Sequence, residues 1–169
     1  MELKGSRTIG ATRQTVWAAL NDPEVLKACI PGCEELTGSA EEGFEAKVTQ
    51  KIGPVKAKFT GLVELSNVVP GESYTIGGEG KGGAAGFAKG SADVALADVE
   101  DGTELTYDVD AKVGGKLAQL GSRLIDSFSK KMADQFFTKF QEVVEGPAEP
   151  VDDEEEGGDK KTWLKRLTG

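Results

Sequence analysis

The hydrophobic period of this chain changes at Gly114-Gly115, where the strand pattern ends and a long helical pattern begins, and that change constrains the fold more than any other feature of the sequence. Upstream, apolar and polar residues alternate over long segments, which is the pattern of β-strands with one buried face. Downstream, apolar residues recur every three or four positions, which is the pattern of an amphipathic helix. Both apolar faces are buried together only if the helix packs across the sheet, so the sequence predicts an α+β fold.

Alternation is clearest in three segments, Phe44 to Ile52, Val55 to Leu65 and Leu105 to Val113. Each segment carries apolar residues on one phase and polar or charged residues on the other. Turn-forming pairs such as Gly53-Pro54 and Asp101-Gly102 separate the segments. Strands joined by such turns predict an antiparallel meander with one face on the core and one face in water.

A first strand and two short helices precede the meander. Leu3 to Ile9 is predicted to be a strand, and Thr12 is predicted to cap the helix that follows it. Pro23 suits the first turn of a second helix, which ends at Ile30-Pro31-Gly32.

The C-terminal helix is predicted from a continuous apolar stripe between Leu117 and Val144. A rise of 1.5 Å per residue gives such a helix a length of roughly 40 Å, enough to cross the whole sheet. The predicted architecture is therefore a curled antiparallel sheet around one long C-terminal helix, with two short N-terminal helices.

The composition excludes several kinds of active site. The chain has no histidine, which removes the Ser-His-Asp and Cys-His catalytic groups and the usual zinc sites. Cys29 and Cys33 are too few to hold a structural zinc ion, and we interpret them as partly buried thiols in a reducing cytosol. A formal charge of −9 opposes nucleic-acid binding. We expect no enzyme activity, no metal and no nucleic-acid partner.

The 169 residues divide into three predicted parts. Residues 1–145 form the globular body, which is long enough for a real core. Residues 146–159 contain seven acidic residues and no apolar cluster, so we expect a flexible linker. Residues 160–169 carry a charge of +4 and form a basic tail. No Sec-type signal and no apolar run long enough to span a bilayer are visible.

A distinctive set of residues lies in and after the two short helices. It comprises Val16-Trp17, Leu20, Asp22-Pro23, Leu26, Cys29-Ile30-Pro31-Gly32-Cys33 and Leu36. Over residues 1 to about 145, this chain resembles the CoxG family of carbon monoxide dehydrogenase subunits, which belongs to the helix-grip, START-like superfamily. The resemblance covers the same order of elements and the Gly-rich segment before the last strands.

The resemblance implies a role beside molybdenum-containing CO dehydrogenases, in maturation or membrane attachment. It also implies binding of a hydrophobic small molecule, with a quinone as the leading idea. It transfers no catalytic residue, because the catalytic partners lie on other chains. We therefore expect a cytoplasmic protein that associates peripherally with the inner face of the cell membrane.

Several strand positions that are predicted to face the long helix carry glycine or alanine, which leaves room for a cavity between sheet and helix. Gly90 lies between Ala88 and Ala92 on one such phase, while Gly61 and Gly80 share the inward phases of their own strands. This pattern fits either close packing of the helix or unfilled space. We expect an apolar pocket, entered between the Gly-rich connection and the N-terminal half of the long helix.

The expected pocket walls are apolar residues of the sheet and of the long helix, with one residue at the mouth. They are Ile30 at the mouth, then Phe59, Val63, Ile76, Gly90, Tyr107, Val109, Leu120, Leu124 and Phe128. Gln50 and the Tyr107 hydroxyl are predicted to donate hydrogen bonds to a ligand carbonyl. A leucine at Gly90 is predicted to fill the pocket without disturbing the fold.

The basic tail has the pattern of an interfacial segment. In a helix, Trp163, Leu164 and Leu167 share one side. The basic residues of the other side are Lys161, Lys165 and Arg166. Tryptophan favours the membrane interface and the cations favour anionic lipid, so we expect weak, reversible membrane attachment. A partner-docking peptide and an unbound tail remain alternatives.

Two further patterns favour ordinary structure. Gly78 to Gly83 matches G-x-G-x-x-G, but a strand-like sequence follows it where a dinucleotide site needs a helix. Asp108 and Asp110 alternate with apolar residues, which indicates a solvated sheet face.

Three functions are consistent with the sequence. The first is a non-enzymatic carrier of a quinone or lipid-like ligand that links a CO-dehydrogenase-type oxidoreductase to the membrane. The second is an assembly or anchoring factor for such an enzyme, with a filled core and no small-molecule ligand. The third, a cyclase or hydrolase, is disfavoured because histidine and convergent inward carboxylates are absent.

Overall fold

The computed structural model describes residues 1–146, which form one seven-stranded antiparallel sheet in the order β1-β7-β6-β5-β4-β3-β2. The strands are β1 Glu2–Ile9, β2 Cys33–Ser39, β3 Gly43–Ile52, β4 Val55–Val69, β5 Ser73–Lys81, β6 Phe87–Val99 and β7 Gly102–Gly114. The helices are α1 Arg13–Leu20, α2 Pro23–Cys29, α3 Lys116–Gln119 and α4 Ser122–Glu145. The predicted α+β architecture is confirmed, with a single 3₁₀ turn at Gly83–Ala85 between β5 and β6.

The two short helices begin as their sequences predict. The Thr12 hydroxyl accepts a hydrogen bond from the Thr15 amide and caps α1. The Asp22 carboxylate accepts one from the Glu24 amide, and Pro23 occupies the first turn of α2. These caps fix the path of the chain from β1 to the opposite edge strand.

Strand β2 has no alternating pattern, and the sequence does not predict it. Its half-buried residues are spaced by three, at Cys33, Leu36 and Ser39. A register shift between Cys33 and Glu35 changes the phase of the strand partway along it. Such a bulge removes the period-2 signal by which a half-buried strand is recognised.

The C-terminal helical region is broken, whereas its apolar stripe predicted one continuous helix. The break lies at Gly121, whose φ of +91° favours glycine and ends the short helix α3 before α4 begins. Leu117 and Leu124 continue the stripe across the break, so the hydrophobic pattern does not reveal it.

Helix α4 crosses the concave face of the sheet and is fastened near both ends. Near its start, Leu124 lies against Gly53 in the turn between β3 and β4. Near its end, the Gln141 side-chain amide donates to the Thr8 carbonyl at 3.0 Å. The Glu145 carboxylate accepts from the Gly10 amide at 2.8 Å.

The hydrophobic core is divided into two clusters along this helix. The first cluster comprises Ile9, Val16, Leu20, Cys29, Tyr74, Val94, Leu96, Leu105, Phe137 and Phe140. The second cluster comprises Ile52, Leu117 and Ile125. Half-buried glycine and alanine residues occupy the inner face of the central strands, so large side chains do not fill that part of the interior.

Candidate ligand cavity

A cavity of about 240 Å³ lies under the C-terminal half of α4, beside the first cluster. Its lining comes from both short helices, from strands β2 to β7 and from α4. The lining residues are Leu20, Leu26, Ile30, Leu36, Phe44, Ala46, Val63, Leu65, Tyr74, Ile76, Val94, Leu105, Phe136 and Phe137. Helix α2 contacts both strand β2 and helix α4. The two helices together therefore cover the side of the cavity that faces away from the sheet.

An aromatic wall on α4 closes one side of the cavity. The Phe136 and Phe137 rings meet edge to face, with centroids 5.0 Å apart. Phe137 stacks on Tyr107 at 4.9 Å, and the Arg7 guanidinium lies 5.9 Å from the centroid of the Phe137 ring. Arg7 also donates to the side chains of Thr138 and Gln141 on α4, at 3.2 Å each. These contacts hold the wall in place and leave its apolar surface toward the cavity.

Tyr74 is the one polar residue among the described residues that line the cavity. Its side chain is only 4% exposed, and its ring meets Trp17 of α1 edge to face at 5.2 Å. Burial raises the pKa of the Tyr74 hydroxyl well above its usual value, so the group stays protonated near neutral pH.

Unfilled space continues from the cavity along the floor of the sheet. Ala46 lines the cavity and pairs with Gly61, which pairs in turn with Gly80. A β-carbon placed on Gly80 would meet no atom within 4 Å. One placed on Gly61 would meet only two carbonyl oxygens, each at 3.9 Å. Neighbouring strands lie about 4.8 Å apart, so this open floor begins directly beside the cavity.

Three of the ten predicted pocket residues, Ile30, Val63 and Ile76, line the cavity. Ile30 follows α2 directly, and the other two lie on the inner face of β4 and β5. Their positions bring the end of α2 over the middle of the sheet.

The structure places the remaining predicted pocket residues elsewhere on the inner surface. Phe59, Leu120 and Phe128 pack against the second cluster. Val109 is half-buried on β7 between Leu3 and Ala92. The described cavity therefore lies under the C-terminal half of α4, whereas the sequence placed the entrance near the N-terminal half. Leu124 lies at the β3–β4 turn, and Tyr107 packs against the first cluster.

Gly90 does not have the open space that the sequence prediction gave it. A β-carbon there would clash with the Asp110 carbonyl and would lie 2.8 Å from the Ala111 side chain. Since backbone atoms of β7 would have to move, a leucine at this position would disturb the sheet itself. Open space is found instead at Gly80 of β5, where a β-carbon would meet no atom within 4 Å. Gly80 lies two residues after Gly78, the residue of β5 that pairs with Gly90.

The two polar groups that were predicted to meet a ligand do not belong to residues that line the cavity. The Gln50 side-chain amide donates to the Pro31 carbonyl and fastens β3 to the segment between α2 and β2. The Tyr107 hydroxyl lies over Gly5 of the edge strand β1, where any larger residue would clash with it.

The sequence analysis predicted only three of the fourteen residues that line the cavity. Of the others, some have a sequence pattern that marks them as interior, but none has a pattern that marks a cavity. Leu26 and Leu36 belong to the set on which the family resemblance rests, but nothing in their spacing directs them toward a cavity. Tyr74 shares the inward phase of Ile76, which marks it as interior without showing that it borders a void. Cavities arise where elements fail to meet, which a one-dimensional pattern does not encode.

Within residues 1–146, both cysteines are free thiols and the two aspartates of β7 lie on the outer face of the sheet. Cys29 and Cys33 are free, and burial raises the pKa of both thiols. No group of metal-ligating side chains occurs in the described part of the chain. Asp108 and Asp110 are exposed on the outer face, as predicted, and Asp108 lies 3.7 Å from Lys4.

The Gly-rich motif joins two antiparallel strands, so it lacks the helix of a dinucleotide site. None of the helices in residues 1–146 is both long and apolar enough to cross a membrane. The predicted linker beyond Gly146 and the predicted membrane-binding tail lie outside the described residues.

Comparison with known proteins gives one family match. The model of the CoxG family of carbon monoxide dehydrogenase subunits matches residues 5–145. No curated protein matches the chain. A conserved protein from Geobacillus kaustophilus, known from a crystal structure, is 32% identical and superposes with a TM-score of 0.80. That match covers 86% of this chain and 95% of the other.

More distant structures share the fold alone. A protein from Chromobacterium violaceum is 16% identical with a TM-score of 0.63, and the match covers 86% of this chain and 99% of the other. A protein from Rhizobium leguminosarum is 17% identical with a TM-score of 0.65, covering 86% and 94% of the two chains.

Proposed function

The chain belongs to the CoxG family of carbon monoxide dehydrogenase subunits, and from that premise we propose that it is a non-enzymatic carrier of a hydrophobic ligand. The proposed ligand is a quinone. The proposed partner is a CO-dehydrogenase-type molybdenum oxidoreductase, because the family is named for that enzyme. The carrier would link this enzyme to the membrane and its quinone pool, on the inner face of the cell membrane.

The observation that carries the proposal is the apolar cavity under α4. Its lining residues are aliphatic and aromatic, with Tyr74 as the one polar residue, so binding would gain free energy from apolar burial, at about 25 cal/mol per Å². Phe136 and Phe137 add aromatic surface to this lining, against which an aromatic ligand could pack.

The size of the cavity supports a ligand with a compact head and a separate tail. Its volume of about 240 Å³ is just below the roughly 300–1,000 Å³ of ordinary ligand pockets, which suits a ring system of modest size. An isoprenoid tail would lie over the open floor at Gly61 and Gly80.

A carrier of this kind needs no catalytic group. The chain has no histidine, and a carboxylate does not occur among the described residues that line the cavity. The lining residues can bind and release an apolar molecule, and they do not supply an acid and base pair for bond breaking.

Extraction of the purified protein tests the carrier function. We expect organic extracts of the protein, purified in mild conditions from a host that makes quinones, to contain a quinone at a substantial fraction of the protein concentration. Native mass spectrometry would show the same ligand as a mass increment that is lost on activation. Absence of any ligand, together with no uptake of an added quinone, would leave the assembly or anchoring factor as the better function.

Membrane attachment is proposed for the basic tail and is tested separately. We expect the full chain to co-sediment with vesicles that contain anionic lipid, and a chain ending at residue 159 to bind at least several-fold less. Each basic residue near such a surface contributes about 1 kcal/mol, and the tail has four. Neutral phosphatidylcholine vesicles are the control. Equal binding by both chains would remove the tail from the mechanism.

A further inference from the structure

The buried hydroxyl of Tyr74 is unexplained by the packing around it. The ring is enclosed by the first cluster and by Trp17, which accounts for its burial. Within residues 1–146, no donor or acceptor forms a hydrogen bond with its oxygen. A polar group buried without a partner costs on the order of 1–3 kcal/mol, so such groups in native proteins call for a physical reason.

Phenylalanine at this position would fill the same space without that cost. The ring meets Trp17 edge to face and belongs to the first cluster, contacts that a phenylalanine ring would keep. Since no side chain or backbone group within residues 1–146 pairs with the hydroxyl, we look for its partner in the state in which the cavity is occupied.

We infer that the Tyr74 hydroxyl is the hydrogen-bonding group for a carbonyl oxygen of the cavity's ligand. This inference rests on the proposed carrier function and narrows its ligand to a planar molecule that carries a hydrogen-bond acceptor. A saturated fatty chain offers no acceptor there, whereas a quinone ring does.

The chemistry of the group suits both redox forms of such a ligand. A phenolic hydroxyl is at once a donor and an acceptor. It donates to the carbonyl of a quinone and accepts from the hydroxyl of the corresponding hydroquinone. Because burial raises the pKa of Tyr74, the group remains a neutral donor across the physiological pH range. The same residue would then hold the ligand both before and after the ligand is reduced.

The chain supplies a matched control for a test of this inference. It contains two tyrosines, and both rings pack against the first cluster. The Tyr107 hydroxyl lies over Gly5 at the sheet edge, away from the cavity lining. Tyr74→Phe and Tyr107→Phe therefore remove the same hydroxyl oxygen from the same kind of ring. Tyr74 is a residue that lines the cavity, and Tyr107 is not.

The experiment compares two probes of nearly the same shape, menadione and 1,2,4-trimethylnaphthalene, in which methyl groups replace the two carbonyls. Dissociation constants are measured by calorimetry for the full wild-type chain and for both variants. We expect Tyr74→Phe to weaken menadione binding about 3- to 10-fold, the value of one hydrogen bond, and to leave trimethylnaphthalene binding unchanged. Tyr107→Phe should leave both constants unchanged.

A second measurement addresses the empty protein. The melting temperature of ligand-free Tyr74→Phe should equal that of the wild type or exceed it by a few degrees, because an unpaired buried hydroxyl has been removed. A fall of several degrees would show that the hydroxyl already has a partner in the folded chain and would overturn the inference.

The outcomes separate the inference from the proposed function. If the wild type binds both probes equally well and Tyr74→Phe changes neither constant, the carrier function stands and the role of Tyr74 is wrong. If the wild type binds neither probe, the carrier function itself fails, and the inference fails with it.

Discussion

Replacing Ala46 with phenylalanine is expected to abolish ligand uptake while the domain stays folded. Ala46 lines the cavity from the inner face of β3, half-buried beside Leu36 and Gly61. A phenyl ring there would occupy much of the volume of about 240 Å³. The ligand would then lose its apolar burial, and we expect menadione affinity to fall at least 50-fold, about 2.3 kcal/mol or more.

The control for this substitution lies one residue away. Glu45 is exposed on the outer face of the same strand, so Glu45→Phe adds the same ring without entering the interior. Its menadione affinity should stay within a factor of two of the wild type. Calorimetric titration measures both, and circular dichroism shows whether each variant is folded. Wild-type affinity in a folded Ala46→Phe protein would place the ligand outside this cavity.

Truncation of Phe140 is expected to cause the largest loss of stability. Its side chain is 0% exposed and stacks on Phe136, with ring centroids 5.9 Å apart. Removing a buried phenylalanine ring costs about 3–5 kcal/mol, because apolar burial is lost and a void remains. That is a large part of the roughly 5–15 kcal/mol by which domains of this kind are stable.

Thermal and urea unfolding of Phe140→Ala measure this effect. We expect the melting temperature to fall by about 10 °C or more and the urea midpoint to fall in proportion. Val143, on the same helix and 40% exposed, gives the control Val143→Ala, which should change the free energy of unfolding by less than about 1 kcal/mol. A change of less than about 2 °C in Phe140→Ala would mean that the C-terminal half of α4 does not support the core.

The sequence predicted the fold well where a single physical period dominates. Strands β3, β4 and β7 each have one face on the interior, so their alternation identified both the element and its inner face. The start of α1 at Thr12 and the start of α2 at Pro23 followed from capping and proline geometry. Local chemistry fixes these features, and tertiary packing does not override them.

Strand β2 and the break in the C-terminal helix were missed because a backbone change leaves no trace in the hydrophobic pattern. The bulge in β2 shifts its phase between Cys33 and Glu35 and hides the strand. The positive φ of Gly121 breaks the C-terminal helix while Leu117 and Leu124 continue the stripe. Both features become visible only in three dimensions.

The cavity lies on the inner face of the sheet, at a different level from the pocket that the sequence predicted. Alternation establishes that Phe59 and Val63 both face inward, but it does not show how closely α4 approaches each of them. In the structure, Phe59 packs against the second cluster and Val63 borders the void. The distance between layers depends on side chains from α2 and β2 that lie far away in sequence, so no local pattern reports it.

The division of the core into two clusters has a consequence for how the protein responds to compression. A folded chain with an empty interior occupies more volume than the same chain unfolded in water, and the difference grows with the void that unfolding eliminates. High hydrostatic pressure would therefore favour unfolding of this domain, because unfolding eliminates the cavity of about 240 Å³. A molecule that fills the cavity would reduce that volume difference and would make the folded domain more resistant to pressure.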